Sequence, residues 1–147
     1  MAISVLSAAR HLGQRSGWTL SNLQLQKILY LAHMMHLGEK GAPLLTGGFE
    51  AWDYGPVNPE LYSVAKIFGS SPVRDVFHGA TPVKPDSDEA ATLNDACDQL
   101  SSVPAGRLVA ITHDKLGAWY RAYAPGLRGV PITQAEILKE YQRRTSS

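Results

Sequence analysis

Residues 21–37 read SNLQLQKILYLAHMMHL, and this segment predicts the central element of the fold. Ser21 and Gln24 have the spacing of a capping box, in which each side chain bonds the backbone amide of the other residue at the start of a helix. Leucine, isoleucine, methionine and tyrosine then recur on nearly every side of the helix, which is typical of a buried helix. We therefore expect a central apolar helix over residues 21–37, ended by Gly38 in the left-handed conformation.

A second informative segment is FEAWDYGPVNPELY, residues 49–62. Its first six residues alternate aromatic or small side chains with acids, which predicts a short half-exposed strand. The glycine–proline pair that follows is expected to end this strand, and Asn58 then caps a new helix that begins with proline. A further short strand over residues 73–77 could pair with the first one as a small hairpin or wing.

The remaining start and stop signals predict further helices around the central one. Apolar residues spaced three and four apart indicate a helix over residues 2–12, and an acid-headed cap indicates another from residue 86. Thr133 and Glu136 form a second capping box before a C-terminal helix. The fold class that follows is mainly α (α+β): a single compact multi-helix domain over residues 1–147, with a small β hairpin or wing.

Composition limits the classes of protein that the chain can represent. It has 147 residues, 44% of them hydrophobic, and a single cysteine, Cys97, which excludes an internal disulfide framework and a zinc site made of cysteines alone. The longest apolar run, residues 28–37, is about half of the roughly 20 residues that span a bilayer. Residues 1–6 lack the basic start of a signal peptide. We therefore expect a cytoplasmic protein with no membrane partner.

The formal net charge of +1 hides a segregated pattern. Residues 1–48 carry four basic and one acidic side chain, residues 49–106 carry three and nine, and residues 107–147 carry seven and three, so the net charges are +3, −6 and +4. Either these segments attract one another within the fold, or the acidic middle segment steers a charged protein partner. The neutral total argues against a nucleic-acid partner, which usually requires a basic excess.

Catalytic and metal-binding hypotheses have little support in the sequence. His33 and His36 are three residues apart and can share a helix face, but they fill only part of a zinc shell. Cys97 and His113 could form a nucleophile–base pair, although the aspartates beside Cys97 disfavour a thiolate. Serine-nucleophile and phosphate-loop motifs are absent from the sequence. We therefore expect no enzyme activity, no metal and no cofactor.

The aromatic cluster around residues 52–57 has two interpretations. Trp52 and Tyr54 could simply close the core over the following helix. Alternatively, tyrosines and neighbouring acids form a protein-interaction surface, since tyrosine and tryptophan are common hot-spot residues of interfaces. The residues of that surface would be Tyr54, Tyr62, Glu50, Asp53 and Glu60.

Two motifs in this order resemble the Panacea domain, the SocA-like, phage-associated GepA family. They are LQKILYLA at residues 25–32, followed by His36, and FEAWDYGPVNPELY at residues 49–62. Thr112-His113, Leu116, Trp119 and the helix over residues 132–141 are similar to the C-terminal half of the family. The resemblance covers residues 2–141. Ile28 stands where the commonest pattern has leucine, and residues 70–90 diverge from the family.

The resemblance implies a cytoplasmic antitoxin of a type II toxin–antitoxin system, which neutralises a cognate protein toxin by direct binding. Some relatives instead act as proteolytic adaptors that deliver the toxin to an ATP-dependent protease. The motif residues would form or support the partner-facing surface. They are Lys27, Tyr30, Trp52, Asp53, Tyr54, Gly55, Pro56 and Tyr62.

A DNA-binding transcriptional regulator of its own operon is the alternative function. A small helical protein could place Arg143 and Arg144, or Arg10 and Arg15, against phosphates as a helix-turn-helix protein does. The bases are dispersed along the chain, however, and no aromatic residues alternate with them.

Overall fold

The computed structural model describes residues 1–127 and 129–146, and within them the fold is mainly α with a small sheet, as predicted. The helices are α1 (Val5–Ser16), α2 (Asn22–Lys40), α3 (Pro59–Ala65), α4 (Asp88–Leu100), α5 (Ala105–Thr112), α6 (Ala118–Ala122) and α7 (Gln134–Thr145). A 3₁₀ turn at Lys66–Phe68 continues α3. The strands are β1 (Phe49–Trp52), β2 (Gly55–Val57) and β3 (Pro131–Ile132). No helix of the described residues carries an apolar run long enough to cross a bilayer.

The central position of α2 is confirmed. Ser21 and Gln24 form the predicted capping box, with bonds in both directions between side chain and backbone. Ile28, Leu29 and Ala32 are fully buried, and α2 packs against α1, α3, α4, α5 and α7. A helix packed by other helices on several sides has apolar residues all round, because no face of it is fully exposed to water.

The predicted end of α2 at Gly38 is wrong. The helix continues to Lys40, and Gly41 is the residue that takes the left-handed conformation, with φ 69°. Gly38 instead makes room for α7: the ring of Tyr141 lies where a side-chain carbon on residue 38 would be. The glycine therefore serves close helix packing and does not end the helix.

Substitution of Gly38 by alanine is expected to destabilise the fold by about 1–3 kcal/mol, because the added methyl group forces Tyr141 and α7 away from α2. In a free helix the same change would stabilise by about 1 kcal/mol. Urea unfolding of the variant and the wild type measures whether the free energy of unfolding falls or rises. A Gly38→Ala protein as stable as the wild type would contradict the packing described here.

The small sheet differs from the predicted pairing. β1 and β2 form an antiparallel hairpin with Glu50 opposite Val57, and β3 pairs with the other edge of β1. Residues 73–77 form no strand; instead the amide of Val73 donates to the carbonyl of Leu20. The glycine–proline pair predicted to end the strand begins the second strand of the hairpin. Proline is tolerated there because β2 is an edge strand.

The charged segments partly neutralise one another within the fold. Arg10 pairs with Asp75 at 3.2 Å, and Arg15 pairs with Asp98 at 2.9 Å, so basic side chains of α1 meet acids of the middle segment. The intramolecular interpretation of the charge pattern is confirmed for these acids.

Candidate partner-binding site

The hairpin places two side chains of the aromatic motif in solvent. Asp53 and Tyr54 form the turn between β1 and β2, and Tyr54 is 70% exposed. Trp52, at the end of β1, is half-buried and packs edge-to-face on Tyr62 of α3, with ring centroids 4.8 Å apart. The turn therefore presents one large exposed ring beside a pair of packed aromatic rings.

Two polar side chains of the central helix α2 hold the hairpin in place. Lys27 Nζ donates to the carbonyl oxygen of Pro56 at 2.9 Å. Gln26 pairs with the backbone of Asn58 in both directions, accepting from its amide at 2.8 Å and donating to its carbonyl at 3.2 Å. Both side chains are buried, so these bonds fix the position of β2 and the start of α3 relative to α2.

Lys27 is the most unusual ionisable group of this region. It is fully buried, and burial lowers the pKa of its ammonium group to about 7. The end of the Lys27 side chain leaves no room for a side chain at residue 55. A Cβ atom on Gly55 would lie 3.0 Å from Lys27 Cε and 3.1 Å from Thr112 Oγ1. The φ of Gly55, 111°, also excludes most other residues.

A stack of three rings holds the hairpin turn from the side of α5 and α6. The ring centroids of His113 and Trp119 lie 3.8 Å apart with the rings nearly parallel, and the ring of Tyr123 stacks on Trp119 with the centroids 4.6 Å apart. Trp119 Nε1 donates to the carbonyl of Trp52 at 2.7 Å, and the Tyr123 hydroxyl donates to Asp53 at 2.6 Å. These bonds order the turn that carries Tyr54.

Tyr30 lies away from the turn and connects α2 to α7. It is fully buried, donates its hydroxyl proton to Glu140 at 3.0 Å, and packs edge-to-face on Phe49 of β1 at 5.2 Å. Burial beside the Glu140 carboxylate raises the pKa of Tyr30 well above its usual value. Glu140 also accepts from the amide of Ala118 and from Arg144, so one buried carboxylate joins α2, α6 and α7.

An open groove of about 280 Å³ lies beside the turn, and we call it the aromatic groove. Its walls come from α2, from the hairpin, and from α3 with the residues that follow it. The lining residues are Asn22, Leu23, Gln26, Trp52, Tyr54, Val57, Tyr62, Lys66 and Gly69.

The eight residues predicted for the partner surface thus occupy two layers. Trp52, Asp53, Tyr54 and Tyr62 lie at the surface or partly exposed. Lys27, Tyr30, Gly55 and Pro56 are buried, where they can only support that surface. Trp52 packs against Tyr62 and lines the groove, and it is not among the residues of the hydrophobic core.

Residues that the sequence interpretation did not assign to the site brace the hairpin. Gln26 lies within the motif but was not selected, and Asn58 was predicted only as a helix cap. Trp119 and Tyr123 approach from more than 60 positions away along the chain, a proximity that spacing alone cannot reveal.

The candidate metal and nucleophile residues are engaged elsewhere. His33 Nε2 bonds Gln134 at 2.7 Å and His36 Nδ1 bonds Thr92 at 2.8 Å. Within residues 1–127 and 129–146, no three His, Cys, Asp or Glu side chains gather in a group that could hold a metal. Cys97 is buried in α4, and burial raises the pKa of its thiol, which disfavours the thiolate.

The arginines considered for DNA contact are also engaged within the chain. Arg143 pairs with Asp114, and Arg144 pairs with Asp114 and Glu140. Together with the pairs made by α1, these contacts offset much of the charge that a phosphate backbone would require.

This geometry defines a class of protein: a helical domain that presents a braced aromatic hairpin beside a groove. The model of the family described as "Antitoxin SocA-like, Panacea domain" matches residues 25–120, from α2 into α6. The chain belongs to this family, which confirms the resemblance found in the sequence.

A curated relative supports the assignment. Antitoxin SocA of Caulobacter vibrioides (strain NA1000 / CB15N) is 34% identical over 110 residues, which are 68% of this chain and 58% of that protein. The chain therefore spans a little under three fifths of the length of this relative. No solved structure matches the chain.

Proposed function

We propose that the chain is the antitoxin of a type II toxin–antitoxin pair and neutralises its cognate protein toxin by direct contact. The contact surface is the turn at Asp53 and Tyr54 together with the aromatic groove. Family membership supports the antitoxin role, and the single observation that carries the surface is Tyr54, a tyrosine 70% exposed at the tip of a hairpin held from two sides.

Bracing matters because a partner that binds an ordered loop does not have to order it. Immobilising a rotamer-rich side chain at an interface costs about 0.5–1.5 kcal/mol. Here the bonds of Lys27, Gln26 and Trp119 fix the backbone on both sides of Tyr54 before any partner arrives. The buried motif residues therefore contribute to binding without touching the toxin.

The acids of this surface favour a partner with a basic face. In the part of the chain that the structure describes, Glu50, Asp53 and Glu60 make no ion pair within 4.0 Å, unlike the acids that meet α1. Such unpaired carboxylates speed the encounter with a positively charged partner and leave the complex sensitive to salt. We therefore assign the steering of a charged protein partner, the second interpretation of the charge pattern, to these three residues.

Co-expression tests the proposal. The open reading frame adjacent to the gene is expressed alone, where growth is expected to stop, and then with this chain, where growth is expected to recover. Tyr54→Ala is expected to abolish or strongly reduce the recovery, since truncation of an interface hot spot weakens binding by roughly 30-fold or more. A neighbour that is harmless alone, or growth that does not recover with the wild-type chain, refutes the antitoxin proposal.

A matched control distinguishes loss of this particular surface from loss of any exposed hydrophobic side chain. Ile67 is 81% exposed but lies outside the lining of the aromatic groove, so Ile67→Ala is expected to rescue growth as the wild type does.

The amount of toxin in rescued cells distinguishes two mechanisms of neutralisation. A constant amount indicates occlusion, and a fall that requires an ATP-dependent protease indicates that the chain acts as a proteolytic adaptor.

A further inference from the structure

We infer that a second groove of the chain docks a short segment of a protein other than the toxin, in which an apolar side chain stands beside an aspartate or glutamate. We call it the Trp18 groove. Its volume is about 580 Å³, which is within the range typical of ligand sites. The lining residues are Trp18, Ile67, Phe68, Ser71, Pro72 and Arg74.

The Trp18 groove and the aromatic groove have no lining residue in common. The 3₁₀ turn contributes to both, since Lys66 lines the aromatic groove while Ile67 and Phe68 line the Trp18 groove. Trp18 also precedes residues 25–120, which the family model matches, so the family match does not extend to this side chain. Because Ile67 lies outside the toxin surface proposed above, we assign the segment to a second protein.

The backbone of Trp18 is strained. Its φ is 59°, and within residues 1–127 and 129–146 it is the only residue other than glycine with a positive φ. A bulky residue keeps this conformation only where its surroundings enforce it, and such residues cluster at binding sites. Here the indole occupies the space that a side chain on Gly13 would fill, and it stacks on Phe77 with the ring centroids 6.3 Å apart. The indole is therefore a fixed wall of the groove.

The segment that forms the other side of the groove is also anchored. The Ser71 amide donates to the carbonyl of Phe68 at 3.0 Å, and the amide of Val73, whose side chain is buried, donates to the carbonyl of Leu20 at 2.8 Å. Ile67, by contrast, is largely exposed. An apolar side chain of a partner could thus bury surface of Ile67 against a groove whose walls are already ordered.

Arg74 determines the charge that the groove accepts. It is exposed, and it is the one charged residue of the lining. It forms no ion pair with any residue that the structure describes, whereas the neighbouring Asp75 pairs with Arg10 at 3.2 Å. A guanidinium without an internal partner can donate charge-assisted bonds to a carboxylate, and no acid of the lining would repel that carboxylate. The groove therefore fits an apolar and acidic segment.

Selection from a library of random short peptides tests the inference on the chain alone. Peptides that bind the immobilised wild-type chain are expected to include a group with an apolar residue next to aspartate or glutamate. Fluorescence anisotropy then measures binding of these peptides to the wild type, Arg74→Gln, Ile67→Ala and the control Arg107→Gln. The control removes an exposed arginine of α5 that forms no ion pair with a described residue and lies outside the lining of both grooves. We expect each groove variant to weaken binding by roughly fivefold or more, and the control by less than about twofold.

Replacing the acid of the peptide by its amide identifies the partner of Arg74. This change is expected to weaken binding to the wild type by a similar factor but to have little further effect on Arg74→Gln, because the two charges form one interaction. If no selected peptide loses affinity for both groove variants, or if those that do carry no acid, the inference is overturned. Rescue of growth depends on the toxin surface and not on this groove, so it tests the antitoxin proposal separately.

Discussion

Replacement of Lys27 by methionine is expected to remove a strong pH dependence of stability. The pKa of Lys27 is about 7 in the folded chain and about 10.4 in an unfolded one, so between these values the unfolded state binds one more proton. The stability of the wild type therefore rises as the pH increases from about 7 to 10, by about 1.4 kcal/mol per pH unit from this group alone. Below about pH 7 both states are protonated and the dependence ends.

Urea unfolding of the two proteins at pH 7, 8 and 9 measures this effect. The difference in unfolding free energy is expected to shift by roughly 2 kcal/mol over that range in favour of the wild type, because the folded-state amine is only half titrated at pH 7. Lys66→Met, which removes an exposed lysine beside the same groove, is expected to follow the wild type at every pH. Parallel pH profiles for wild type and Lys27→Met would show that the amine is not buried as described.

The second large effect is expected at Glu140. Its carboxylate is buried and accepts from the Tyr30 hydroxyl, the Ala118 amide and Arg144, so Glu140→Ala leaves two buried donors without a partner and opens a cavity. Breaking a buried, hydrogen-bonded charge typically costs about 3–5 kcal/mol. Chemical unfolding at pH 7 measures the loss.

Two companion variants locate the origin of that loss. Glu140→Gln keeps the shape and one acceptor oxygen, and it is expected to cost less than the alanine variant. Glu136→Ala removes another acid of α7. Glu136 is partly exposed to solvent, and within the described residues its ion pairs are with the exposed bases Arg121 and Lys139, so the variant is expected to cost less than about 1 kcal/mol. A cost for Glu140→Ala as small as that of Glu136→Ala would refute the role of Glu140 as the link between helices.

Local signals in the sequence predicted much of the fold. The capping box of Ser21, the Asn58 cap and the Thr133 cap each mark a helix start that the structure contains. These features depend on neighbouring residues alone, which is why a sequence suffices to find them. The end of α2 was missed because the reason for Gly38 is a ring of α7, more than 100 residues away.

The sheet shows the same division between local and distant causes. The strand β1 was predicted from its alternation, but its partners were not, since pairing depends on how the whole chain folds. β3 comes from residues 131–132, and the segment 73–77 that was expected in its place packs along the start of α2 instead. A proline in the second strand also concealed the hairpin, because proline usually interrupts strands.

The candidate site was predicted as a set of residues but not as an arrangement. A lysine in a helix that is apolar on nearly every side must extend to the surface or be buried, and the sequence did not decide between these outcomes. The structure buries Lys27 under Gly55, where its amine bonds Pro56. The exposed layer that remains, above all Tyr54, is what a partner can reach.

The most direct test of the proposed binding face is amide hydrogen exchange of the chain alone and in complex with its purified toxin. Bound toxin is expected to slow exchange in residues 49–69, which comprise the hairpin, α3 and the 3₁₀ turn, while residues 88–100 of α4 exchange at the same rate in both states. Slowed exchange in α4 with residues 49–69 unchanged would contradict the assignment of the binding face to the aromatic groove.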